Sequence, residues 1–230
     1  WVYLGTFHFY EGYHPGNGAV ELTNESVQSG NKITADAVRF GGGTGVIVRN
    51  DRPSERPRFL EGARYHLQFS GAPDSLVWKL NENNDYSDDF QSRGEWVNYL
   101  KGTPYGPNVD RSQGLGVPVE LSLAFHTDAG VTRNDDVIGT LSIYSINDMS
   151  GNDHFPDGMS RLANRDFTDI MQTQIVDDIR ALHDTTWVRR ALRNARYSES
   201  MRPNVPSTLL ELLSHQNLRD KEYAMDPTFR

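Results

Sequence analysis

The chain predicts an α/β fold, a mostly parallel sheet with helices on both faces, on three observations. Two short apolar runs, residues 121–125 and 205–213, each end close to a single ionisable side chain. That is how a buried strand delivers a polar group to the rim of a sheet. Between them Phe167, Ile170, Met171, Ile175, Ile179 and Leu182 recur at helical spacing. Strand and helix patterns that alternate imply a sheet covered on both sides, and such folds keep their chemistry at the carboxyl ends of the strands.

Taken in order, the first 40 residues carry β signals. Val2 and Leu4, then Phe7 and Phe9, alternate; Val20 and Leu22 follow a turn rich in Gly and Pro; Ile33, Ala35, Ala37 and Val38 form a third run after Ser29-Gly30-Asn31. Three such strands are not stable alone and must pack on other sequence. Gly41-Gly42-Gly43 marks a boundary between a unit over residues 1–43 and a second over 44–230. In the second unit residues 46–48 read as a strand or linker, 61–69 as a short helix with Leu60, Ala63, Tyr65 and Leu67 as apolar contacts, and 75–78 as a strand. Leu121, Leu123 and Phe125 alternate with Ser122 and Ala124, which is strand periodicity, and Asp128-Ala129-Gly130 can then turn the chain. His126 therefore sits at a strand end. Residues 139–144 form another strand, 164–183 an amphipathic helix, 187–195 a second helix and 205–213 the last strand. Loops over 102–116 and 147–158 have the length of those that border a cleft.

With 37% apolar and 23% charged residues, 230 residues suffice for one sizeable core or two modest ones. No run of about 18 apolar residues could cross a bilayer. A net charge of -8 argues against nucleic acid as the main partner. The absence of cysteine excludes thiolate metal sites, disulfides and a Cys nucleophile. A Gly-x-Ser-x-Gly elbow is lacking, and the glycines at 41–45 are not followed by the Gly-Lys-Ser/Thr of a phosphate loop. A start at Trp1 reads as a processed or partial product.

Residues 122–129 are similar to the serine-any-His-any-Asn-Ala strand end of the zinc-dependent N-acetylmuramoyl-L-alanine amidases, the amidase-3 family. Leu123, Ala124 and Phe125 separate Ser122 from His126 here, and Asp128 stands where the family has Asn. Residues 205–211, followed by Ser214-His215-Gln216-Asn217 and the trailing Asp226-Pro227-Thr228-Phe229-Arg230, resemble the family's Val-Pro-Ala-x-Leu-x-Glu strand. Upstream, Glu61 matches a helix-start Glu, and Asp89, Arg93 and Asn98 match an Asp and Arg followed by Ala-Asn, with Val97 in place of Ala. The resemblance implies that His126 and Glu61 are ligands of Zn2+ and that Glu211 is catalytic. It further implies amide hydrolysis in peptidoglycan or a related glycan-peptide, by a secreted, periplasmic or cell-surface protein. The family's remaining His ligand has no match. Tyr13-His14-Pro15-Gly16-Asn17-Gly18 is ordinary turn chemistry, so the third protein ligand is expected upstream of Trp1, leaving the chain as given incomplete as a hydrolase. Residues 1–43 look like the last third of a golvesin-C-terminal-like β-sandwich, a module attached to surface hydrolases including proteins labelled xanthan lyases. A polysaccharide- or peptide-binding protein on a degenerate amidase scaffold, or a polysaccharide lyase, are the alternatives.

Each of these residues also has a plainer reading. His126 could bond backbone at its strand end, and Glu61 could simply favour a helix start. Glu211, set among Leu209, Leu210, Leu212 and Leu213, needs either a function or a buried partner such as Arg202. Asp128 initiates the turn or orients His126. Arg202, with Arg189, Arg190, Arg193 and Arg196, could bind the carboxylate of a peptide stem or serve solubility. The acidic stretch 82–89 lacks EF-hand spacing and reads as a solvated loop.

Overall fold

A computed structural model of the chain describes residues 7, 16, 18–23, 25–30, 48–49, 52–53, 62–70, 72–77, 85–102 and 114–229. The chain separates into two units, residues 1–42 and 43–230. In the first, residues 19–23 belong to no strand and Val20 and Leu22 are exposed. The other two strands expected there, Phe7 apart, lie outside the described residues, as does His14.

The second unit begins with a short antiparallel pair, β1 (Val48–Arg49) and β2 (Arg52–Pro53). Three helices follow: α1 (Ala63–Phe69), α2 (Asp74–Val77) and α3 (Asp85–Lys101). Then come β3 (Ser122–Asp128), β4 (Leu141–Tyr144), α4 (Leu162–Leu182), β5 (Arg193–Asn194), α5 (Ser198–Met201), β6 (Ser207–Ser214) and α6 (Leu218–Met225). The last four strands form one sheet in the order β3-β6-β4-β5. β6 runs parallel to β3 and antiparallel to β4, and β4 runs parallel to β5 through the α4 crossover. The α/β class holds, with a mixed sheet. β6 is buried almost throughout because it is an inner strand with neighbours on both sides.

Several local expectations are corrected. The strand expected at 75–78 is the helix α2, whose Leu76 and Val77 are buried with Ala72 against Leu67, Trp96 and Tyr99. Residues 187–195 are extended where a helix was expected. Thr140 bridges Arg189 in parallel, and Gln172 Nε2 of α4 donates to the carbonyls of Thr140 and Arg190 at 2.8 and 3.0 Å. A backbone satisfied by the sheet has no use for helical bonds. The helix over 162–182 forms, but its buried stripe is Asn164, Thr168, Gln172, Val176 and Ile179, while Ile170 and Leu182 are exposed. Residues 85–89 of the expected acidic loop open α3, and Asp88 is buried beside Arg64.

The main core is built from Val176, Ile179, Trp187 and Leu213, with Tyr223 edge-on and Phe229 tilted against the indole at ring distances of 5.2 and 5.8 Å. Asp220 of α6 is fully buried. Its carboxylate accepts from the N–H groups of Ile138 and Ser214 at 2.9 and 2.8 Å, which ties the carboxyl end of β6 to the entry of β4. A buried carboxylate is tolerated when backbone donors satisfy it.

Candidate functional site

β3 and β6 meet in parallel register with His126 opposite Glu211. Paired residues on adjacent strands share a face, so the two side chains emerge side by side near the carboxyl ends of their strands. On its other flank Glu211 is opposite Leu141 of β4. Two residues earlier the same face carries Ala124, Leu209 and Ile143, which pack under Ala195. The polar pair thus stands at the edge of an apolar floor. β3 alternates as its sequence predicts, but in the opposite sense. Leu121, Leu123 and Phe125 are exposed, and Ser122, Ala124 and His126 are half-buried.

Among the described residues nothing donates a hydrogen bond to Glu211 Oε2, although that atom is buried. Burial pushes the carboxyl up from the ordinary glutamate value; the nearby charges of Asp128 and Glu199 push the same way, while His126 and Arg190 oppose them. Among the arginines, the charge that acts on Glu211 is that of Arg190. Arg202, the partner and substrate-binding candidate named above, is turned inward: it is buried, bonds Glu95 Oε1 at 3.0 Å and Gln91 Oε1 at 2.7 Å, and its carbonyl accepts from Asn98 Nδ2 at 2.9 Å.

His126 is held by a residue that the sequence did not single out. Its Nε2 lies 3.1 Å from Glu199 Oε1, in the short helix α5. Arg93 donates to the same oxygen at 3.0 Å and to Asp89 Oδ2, one helical turn back, at 2.5 Å. Asp89 Oδ1 in turn accepts from the N–H of Arg64 at 2.9 Å. Burial acts to raise the Glu199 carboxyl, but hydrogen bonds from His126 and Arg93 outweigh it and hold the group below the usual range. Nothing in the sequence around Glu199 marks it out, because only the tertiary fold brings α5 to the end of β3.

Asp128 does not bond His126 here. Its carboxylate accepts from the N–H of Ala129 and from Arg190, both at 2.7 Å, so it serves the turn and an ion pair. Burial would raise its pKa, but Arg190 and the Ala129 N–H prevail and lower it. Beyond it, Thr127 Oγ1 meets His215 Nδ1 at 3.0 Å and the His215 N–H reaches the Asp128 carbonyl, which locks the ends of β3 and β6 together.

Imidazole and carboxylate are ligands that zinc takes, and the orphaned oxygen of Glu211 suits a group that awaits a proton or a cation. Among the described residues no three His, Asp or Glu side chains stand together as a metal-holding group. Glu61, the other expected ligand, lies outside the described residues. Comparison with protein-family models, curated proteins and solved structures finds no match to this chain.

Proposed function

We propose that the chain belongs to a hydrolase of the amidase-3 type, acting on amide bonds of peptidoglycan or a related glycan-peptide outside the cytoplasm. The observation that supports this reading best is the pairing of His126 with Glu211, a carboxyl with a raised pKa and a buried free oxygen, at the carboxyl ends of two parallel strands. His126 and Glu61 would help to hold zinc, which when bound polarises an amide carbonyl and lowers the pKa of its water to about 7. Glu211 takes the proton of the attacking water and returns it to the departing amine. A carboxyl whose pKa is raised toward the working pH serves both halves of that transfer. The apolar floor of Ala124, Leu209 and Ile143 keeps solvent from beneath the pair.

The test is hydrolysis of a muramoyl-peptide amide by the intact protein and by Glu211→Gln, with zinc content measured on both. We expect the variant to remain folded and to lose about 10²- to 10⁴-fold in kcat. Unchanged turnover would remove Glu211 from the mechanism. Binding of the glycan-peptide by the wild-type protein without any turnover would instead favour a surface binding protein. In the described residues no helix is long and apolar enough to cross a membrane.

A further inference from the structure

We propose that Glu199 is a positioning residue for His126, holding the imidazole by Nε2 so that Nδ1 is the ring nitrogen offered to the reacting centre. The consequence for turnover rests on the hydrolase reading above; the contact itself does not. Glu199 Oε1 receives two groups at once, His126 Nε2 at 3.1 Å and Arg93 at 3.0 Å. An ionised carboxylate can only accept hydrogen bonds, so the ring nitrogen facing it must carry the proton. In the neutral imidazole the lone pair then resides on Nδ1.

The support behind Glu199 is continuous. Arg93 is clamped between Glu199 and Asp89, and Asp89 is fixed by the first turn of α1 through the Arg64 N–H. Four elements, β3, α5, α3 and α1, therefore converge on the orientation of one ring. Gly94 makes this approach possible, since a Cβ there would lie 2.9 Å from both the Cβ of Arg202 and the carbonyl oxygen of Ser198. A plain ion pair between Arg93 and Asp89 would need neither the histidine nor the buried glutamate. Histidines that bind metal or move protons characteristically give their other ring N–H to a carboxylate, which sets both tautomer and angle.

The deciding measurement is the long-range ¹H–¹⁵N spectrum of His126 in the labelled full chain at alkaline pH, with the signal assigned by His126→Gln. We expect Nε2 protonated and Nδ1 bare in the wild type. We expect a mixture of tautomers in Glu199→Gln, with partial recovery in Glu199→Asp. A wild-type ring protonated on Nδ1 would overturn the assignment, as would a Glu199→Gln spectrum identical to the wild type. Should Glu199→Gln fail to fold, the wild-type spectrum alone decides. For turnover we expect Glu199→Gln to lose about 10- to 100-fold in kcat with KM unchanged. Absence of any hydrolysis by the wild type would sink the functional reading and leave the tautomer result standing.

Discussion

Glu211 and Glu199 lie on either side of His126 in the network of charges, and their surroundings drive them in opposite directions. Glu211 is raised chiefly by burial, with no bond to its inner oxygen. In the unfolded chain it ionises near 4.5, whereas in the fold it holds its proton to higher pH. Ionisation of Glu211 therefore weakens the fold, and this cost grows as pH rises from 4.5 through the folded value. Glu211→Gln removes the charge, so we expect a higher Tm than wild type at about pH 7, with the gain vanishing below the ordinary glutamate value. Thermal unfolding across pH reads this directly; a variant less stable than wild type at neutral pH would contradict it. Glu199 has the reverse sign. Its folded pKa is depressed, so the stability it contributes is present above the unfolded value of 4.5 and is lost as pH falls through the folded one.

At the scale of elements, the site depends on how closely α3 and α5 approach. Gly94→Ala would push Arg202 and the Ser198 carbonyl away, and with them Glu199. We expect a loss of about 1–3 kcal/mol in chemical denaturation, the usual cost of an overpacked contact, together with weaker hold on the His126 ring. No change in either would show that the two helices have room to spare. Asp89, Arg93 and Asn98 were legible beforehand as a pattern, and the fold explains their spacing. Asp89 and Arg93 are one turn apart on α3, and Asn98 accepts from the Asn204 N–H at 2.7 Å just before β6. α4 taught the opposite lesson. Its apolar residues announce a helix, but three of its five buried positions are Asn164, Thr168 and Gln172, which bond carbonyls of the chain around them. Hydrophobic spacing cannot reveal a face buried by hydrogen bonding.

For the α/β unit as a whole, stability centres on Trp187, fully buried between α4, β6 and the aromatic pair Tyr223 and Phe229, with its indole N–H on Thr140 Oγ1 at 2.9 Å. We expect Trp187→Ala to cost about 3–5 kcal/mol, seen as a lower denaturant midpoint with little change in slope. A shift smaller than about 1 kcal/mol would mean that the cavity collapses freely. Sequence alone determined the α/β class, the strand containing His126, the strand containing Glu211 and the helices on α1 and α4, because hydrophobic period and turn residues are local properties of the chain. Only the tertiary structure decided which way β3 faces, that 187–195 is extended, that Arg202 belongs to the interior and that Glu199 holds His126. Those outcomes depend on which distant backbone and charge each residue meets, and that is set by packing between segments that no local pattern connects.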